Sequence, residues 1–314
     1  MKPTWPLLAL TLLQGLSVGL MSVAAVLMFT HPVDSSLVFA CQLTAFTAGA
    51  IGGIASIFHM HRLSAGKYVM RRLKTSWLSR EALSTGVYTM VVGMSVLSRL
   101  FMVSPKGVWV TLSVLAALLG IVAVYITAML YATIRAMRSW HSPLTVLMFF
   151  GASALSGTSW GWGIATVMHR SVPGLALTFG VVLAIAAVFK ILQVRNFREA
   201  ENLVMSTTGT GLSQKPYRVM DTGTTRAPYR YQTQIWPALT RSQRIGGYGL
   251  MAVLMWLVPV IALTVWNDPV SHLIAAVTES LGLIVERWMF FGDATHSSRV
   301  WFTDEPKRSS QVVF

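Results

Sequence analysis

The sequence predicts an all-α integral membrane protein, an eight-transmembrane-helix bundle with both termini cytoplasmic. Three observations predict it. Hydrophobic residues make up 54% of the 314-residue chain and charged residues only 11%, where a soluble domain carries about 25% charged residues. The apolar residues gather in eight runs, each close to the roughly 20 residues a bilayer-crossing helix needs. Lys and Arg are shared very unevenly between the two sets of connections those runs define.

The runs cover about 6–29, 37–58, 82–103, 108–132, 143–167, 173–193, 246–266 and 270–291. Together they form one membrane domain over 1–314, with two large linkers at 59–81 and 194–245. The first run is longer than a signal-peptide core and lacks a small-residue cleavage site, so it reads as a retained anchor. Eight spans place both termini, the linker 59–81, the connection 133–142 and the linker 194–245 on one face. That face holds 22 Lys and Arg residues, and the other only three, Arg99, Lys106 and Arg170. Without the long linker's share the imbalance is still 13 against three. Positive charge is retained on the cytoplasmic side, so the linkers and termini face the cytoplasm. The outer connections, such as 31–36 and 267–269, are too short to hold a domain.

Net charge is +14, which in a soluble protein would suggest nucleic acid. Here the basic residues sit between apolar runs and no basic-aromatic binding module is visible, so nucleic acid is not an expected partner. The single cysteine, Cys41, lies inside an apolar run. One thiol cannot build a disulfide framework, a zinc site or an iron–sulfur cluster.

Within 60–80 the spacing of Leu63, Val69, Leu73 and Trp77, opposed by Lys67, Arg71 and Lys74, predicts a short helix lying in the membrane interface. Either lipid anchoring or partner docking explains it, and Arg71 and Arg72 are candidate docking residues. Residues 194–245 are turn-rich and polar. Tyr217, Tyr229 and Tyr231 alternate there with Arg226 and Arg230, an interface-like composition. Docking of a cytoplasmic subunit through Arg226 and Arg230 is the expectation. The stretch TGTG lacks the Lys-Ser/Thr of a P-loop.

Charges at bilayer depth are costly and mark function or pairing. His59 closes the second run. Glu81 opens the third, with Ser79 as a candidate N-cap. A histidine can hydrogen-bond a quinone carbonyl and exchange a proton near neutral pH, and a carboxylate can pass that proton to water. Solvation by headgroups is the plainer alternative for both. The last run carries His272, Glu279 and Glu286 at intervals of seven, which keeps them on one helical face over about 21 Å of depth. A proton path is one reading of this stripe and interhelical hydrogen bonding the other. Arg287 can pair with a carboxylate, although Glu286 beside it should point elsewhere. The seven histidines fall at run ends, in connections or in the tail, so no facing pair is available for haem b, and no haem is expected.

The segment FHMHRLSAGKYVMRRLKTSWLSREAL resembles the stretch after the second span in the membrane anchor subunits of dimethyl sulfoxide reductase-type molybdoenzymes. These belong to the wider polysulfide reductase and nitrite reductase anchor superfamily. The matching positions are His59, the basic run from Arg62 to Lys74, and Ser76 through Glu81. YATIRAMRSWHSPLTVLMFF, from Tyr131 to Phe150, and GLIVERWMFFGDATH, from Gly282 to His296, are similar to two further family segments. The tail resembles the anchors of cytoplasmic sulfite dehydrogenase complexes more than those of the shorter dimethyl sulfoxide branch.

The resemblance implies an anchor in the bacterial inner membrane. It implies two partners, a four-cluster ferredoxin-like iron–sulfur subunit and a molybdopterin catalytic subunit, which hold the clusters and the molybdopterin. It implies a quinone or quinol, ubiquinone or menaquinone, bound at His59 and Glu81 in sulfite oxidation or dimethyl sulfoxide-type reduction. The family often has His-Leu-Gly where this chain has His59-Met60-His61, so either His59 or His61 is the quinone-facing histidine. Two other classes stay open on the residues alone. The stripe in the last run and the SGTSWGWG stretch suit a secondary transporter. A structural scaffold needs no site at all.

Overall fold

The computed structural model describes residues 4–30, 35–59, 69–101, 106–201, 239–266 and 268–294. These residues form eight long helices, one short 3₁₀ turn and no strand. The helices are α1 (Trp5–Thr30), α2 (Ser35–His59), α3 (Trp77–Leu100), α4 (Lys106–Ala132), α5 (Pro143–Val167) and α6 (Leu175–Glu201). Then comes α7, in which helical Arg241–Ala252 and Val258–Ile261 alternate with π-helical Val253–Leu257 and Ala262–Trp266, and finally α8 (Pro269–Gly292).

Local chemistry explains where these helices begin. α5 starts where the sequence expects it. Ser142 accepts from the Leu144 amide and Pro143 occupies the first turn, a position where its missing N–H costs nothing. α3 starts at Trp77 rather than 82, because Ser76 and not Ser79 is the cap, accepting from the Ser79 amide. Glu81 therefore lies inside the helix instead of opening it. α6 runs past 193 to Glu201, because Phe197 is buried and Asn196 donates to the Ser139 carbonyl at 3.0 Å. α7 begins at Arg241, ahead of 246, behind a capping box of Thr240 and Gln243. At α8 the Ser271 amide donates to Asp268 Oδ1 at 2.6 Å and holds that carboxyl below the usual carboxylate range.

The expected interfacial helix is not a helix over its described part. Met70–Arg72 forms a 3₁₀ turn, and Trp77 already belongs to α3. Arg80 folds back over this turn. Its Nε and Nη2 donate to the Leu73 and Lys74 carbonyls at 2.8 and 2.7 Å, and its guanidinium lies 4.4 Å from the Trp77 ring centre. The forked donors of one arginine satisfy two turn carbonyls at once. Leu63 and Lys67 lie outside the described residues.

α1 is the central helix, packed against α2, α4, α5 and α8. Its tightest crossing is with α5 at Gly19 and Gly157, where a Cβ on either glycine would run into the other's backbone. Small residues let membrane helices approach this closely. Ser153 reinforces the crossing by donating to the Gly15 carbonyl at 2.7 Å. A second polar tie joins three helices: Ser17 donates to the Ala45 carbonyl at 2.6 Å and meets Tyr88 Oη at 2.8 Å.

Among the described residues six helices, α1 to α4, α6 and α7, are long and apolar enough to cross a membrane. Large apolar side chains such as Ile51, Ile54, Leu118, Leu177 and Val188 stay exposed on them. Acyl chains, not water, suit such a surface, and the chain is a multi-pass membrane protein. α5 and α8 have comparable lengths but more polar sequences. α5 carries Gly, Ser and Trp, and α8 carries His272, Glu279, Glu286 and Arg287, all four buried. The polar sides of these helices are tolerated because protein, not lipid, meets them.

Four connections meet at one end of the bundle. Trp140, between α4 and α5, donates to the Phe290 carbonyl near the end of α8 at 3.0 Å. Asn196 of α6 reaches Ser139, and Arg244 at the start of α7 reaches Asp293 after α8. This is the linker end, where α3 also begins.

Candidate functional site

Polar and aromatic residues converge at the linker end. Glu81 is 5% exposed, and its Oε1 has no hydrogen-bond partner among the described residues. Thr127 of α4 faces it without completing a well-formed hydrogen bond. Tyr131, one turn further along α4, lies within electrostatic reach of both Glu81 and Arg287. A buried carboxyl with a spare oxygen is expensive in a low-dielectric interior unless water or a ligand reaches it.

Around these groups stands an aromatic box. Tyr131 contacts Trp140, Phe149, Phe290 and Phe291 with centroid separations of 5.4 to 5.7 Å. Trp140 stacks on Phe290 at 5.3 Å. The Arg287 guanidinium sits 3.9 Å from the Phe149 ring centre, a close cation–π contact. The segments Tyr131–Phe150 and Gly282–His296, far apart in sequence, supply all five rings. Trp140→Phe removes the donor to the Phe290 carbonyl and leaves that carbonyl buried. The expected loss is about 1–3 kcal/mol, seen as a lower unfolding temperature of the detergent-solubilised protein; an unchanged temperature would show that the box does not need this bond.

Beside the box, Lys190 of α6 donates to Glu286 Oε1 and Gln193 Oε1, each at 2.8 Å. Glu286 Oε2 lies 3.4 Å from Arg287 Nε. The expectation that Arg287 and Glu286 point apart is therefore corrected: both side chains bend toward the same buried space. Asp293 accepts from Tyr248 at 2.7 Å and pairs with Arg244 at 2.7 Å and, more loosely, with Arg198 at 3.9 Å.

The structure brings some expected site residues together and separates others. Glu81 and Glu286 approach one centre through Tyr131 and Arg287. His59 is the last residue of α2; its side chain, with all of His61, Arg226 and Arg230, lies outside the described residues. Arg71 and Arg72 are exposed on the 3₁₀ turn. His272 is at the far end of α8, where its ring stacks on Trp162 at 4.0 Å. Glu279 is wholly buried between the two ends, and neither of its oxygens has a hydrogen-bond partner among the described residues. Interhelical hydrogen bonding, the plainer reading of that residue, finds no donor there among them.

Sequence reasoning missed Lys190, Gln14 and Thr127. Gln14 is 2% exposed in the middle of α1, with both amide atoms unpartnered among the described residues. A lone amide inside an apolar run was the signal available. A larger cleft of about 530 Å³ opens between α1, α5 and α6 toward the opposite end. Its lining includes Val26, Phe150, Val172 and Leu175 but no titratable side chain. It suits an apolar chain and cannot exchange protons.

Comparison with known proteins places the chain among membrane anchor subunits. Residues 1–292 match the family model described as DMSO reductase anchor subunit (DmsC). The chain is 25% identical to the C subunit of sulfite dehydrogenase from Allochromatium vinosum over 327 aligned positions, covering 96% of this chain and 99% of that one. No solved structure matches significantly. All five rings of the aromatic box and the helix that carries Glu81 fall within the matched residues. The chain belongs to the DMSO reductase anchor subunit family and is a membrane anchor of an oxidoreductase complex.

Proposed function

We propose that this anchor binds a quinone or quinol beside Glu81 and exchanges electrons with an iron–sulfur subunit docked on the linker end. The complex also includes a molybdopterin subunit, with sulfite oxidation as the favoured chemistry. The observation that carries the reading is Glu81 itself, a buried carboxyl at the edge of the bundle with an oxygen that no described residue satisfies. Such a group can take or give a proton at a bound carbonyl or hydroxyl. The aromatic box beside it offers ring faces and excludes water. His59, at the end of α2, supplies the second polar contact, as the resemblance implies.

The charge imbalance between the two ends supports eight spans in one domain, with both termini and the linker end in the cytoplasm of a bacterial inner membrane. The partner subunits would then be cytoplasmic, in keeping with the cytoplasmic sulfite dehydrogenase anchors that the tail resembles. The Arg71, Arg72, Arg226 and Arg230 side chains are the proposed docking contacts. No metal or cluster is assigned to this chain; among its described residues no group of His, Cys, Asp and Glu could hold one. When a quinone is bound, it accepts or donates the electrons. This chain orients it, keeps water away and handles the protons.

The test uses the assembled complex in membranes. Menadiol is added, and reduction of the partner's clusters is followed optically. Glu81→Gln keeps the shape and removes the exchangeable proton, so the rate is expected to fall by roughly 100-fold. His59→Ala is expected to raise the apparent menadiol KM. Unaltered kinetics in both variants, with the complex intact, would overturn the site.

A further inference from the structure

A small chamber lies next to the proposed site. It measures about 10 Å³, room for roughly one water molecule, and Gln14, Val124, Thr127, Phe149 and Arg287 are among its walls. The polar atoms around it are unusual in number. Both Gln14 amide atoms, Thr127 Oγ1 and Arg287 Nη1 are buried and unpartnered among the described residues. Tyr131 Oη and Glu81 Oε1, just beyond, are in the same condition. Buried polar groups are nearly always satisfied, and a polar cavity of this size is normally filled by water. The volume is far too small for a quinone ring.

The chamber joins two halves of one polar row. On one side stand Glu81, Thr127 and Tyr131. On the other, Arg287 leads to Glu286 at 3.4 Å, and Glu286 to Lys190 at 2.8 Å. The Lys190 ammonium is 5.9 Å from the Tyr248 ring centre, and Tyr248 donates to Asp293 at 2.7 Å. Asp293 faces Arg244 and Arg198, and Arg198 is 39% exposed at the linker end. The row thus begins at a buried carboxyl on α3 and ends at the surface beside the two ends of the long linker. It runs along one end of the bundle and does not cross it.

The geometry points to this row from Glu81 to Lys190, completed by resident water in the chamber, as a proton path leading from Glu81 toward the linker-end surface. The inference rests on the reading of Glu81 as the quinone-site carboxyl. One quinone takes up two electrons from the iron–sulfur partner and two protons, and the reverse reaction releases both. Carboxylate, phenol and water can each accept and pass a proton, and the Lys190 ammonium can release one and then regain it. The Arg287 guanidinium does not release its own; it is a fixed charge that orients the chamber water. Gln14, with one acceptor and two donors, holds that water in line. Uptake and release would then both occur on the linker side, and electron exchange would move no charge across the membrane.

The probe is again menadiol with the assembled complex. In the unmodified protein the cluster-reduction rate is measured against the fraction of D₂O. A chain of coupled transfers gives a bowed dependence; a straight line means a single transfer directly to bulk water and overturns the row. Gln14→Leu replaces a polar wall of the chamber with an apolar group of similar size. It is expected to slow reduction roughly ten-fold, to enlarge the solvent isotope effect and to leave menadiol KM in place, with partial recovery in Gln14→Asn. Tyr131→Phe should act the same way. If Gln14→Leu and Tyr131→Phe match the unmodified rate while Glu81→Gln is slow, the row is structural only. If Glu81→Gln is itself unaltered, the quinone site is misplaced and the row falls with it.

Discussion

Gly157→Leu is expected to leave almost no folded protein in the membrane. At the α1–α5 crossing a single Cβ on Gly157 already collides with the Gly19 backbone. An overpacked side chain usually costs about 1–3 kcal/mol because neighbouring rotamers yield. Here the obstacle is main chain on a helix of 26 residues that also contacts α2, α4 and α8, so no rotamer can yield. The helices must separate, which breaks the bond from Ser153 to the Gly15 carbonyl and opens the chamber's wall at Gln14. The cost should exceed about 3 kcal/mol, a large part of the roughly 5–15 kcal/mol that keeps a typical protein folded. Gly53→Ala is the matched control, since nothing lies within 4 Å of a Cβ there. It should be neutral or slightly stabilising, because alanine is the better helix former. Fluorescence-detected size exclusion of detergent extracts separates the two outcomes. A monodisperse Gly157→Leu peak at the unmodified height would mean the crossing is looser than described.

That crossing illustrates what the sequence makes legible. Apolar runs announce helices whatever surrounds them, so all eight are visible, and α5 is visible to the residue because Ser142 and Pro143 mark its start. Competing caps are harder. Ser76 and Ser79 both suit the start of α3, and only packing decides for the earlier one. Charges mislead in a different way. Lys190 reads as one more basic residue on the cytoplasmic side, yet it is 4% exposed and paired with a carboxylate 96 positions away. A solvated lysine and a buried one look identical until the partner helix is in place. The candidate site divides along the same line. Glu81 stands out as a lone carboxylate at the edge of an apolar run. The chamber at Gln14 and Thr127 depends on several helices meeting, and no local pattern encodes that.

Glu286→Leu is the substitution inside the ionic row expected to cost most. Glu286 is wholly buried and touches two cations, Lys190 at 2.8 Å and Arg287 at 3.4 Å. Removing it leaves both cations facing each other in a low-dielectric space. Stranding one member of a buried pair costs about 3–5 kcal/mol, and here two are stranded. Lys190→Met is the milder change. Glu286 would still face Arg287, so one pair survives and the loss should stay below that of Glu286→Leu. The double change Lys190→Met with Glu286→Gln removes the lysine and the carboxylate together. It leaves the guanidinium with a neutral amide oxygen to donate to and with the Phe149 ring face 3.9 Å away. Its stability should therefore recover part of the Glu286→Leu loss, because Arg287 alone is then left without a counter-ion. Proton exchange should not return with it, since neither methionine nor an amide passes a proton. Measuring thermal unfolding and the solvent isotope effect on the same three variants separates the two roles. Equal stability of Glu286→Leu and Lys190→Met would show that Arg287 is not part of the pairing. Recovery of both stability and proton-coupled rate in the double variant would show that the ionic cluster is glue and that protons leave Glu81 by another way.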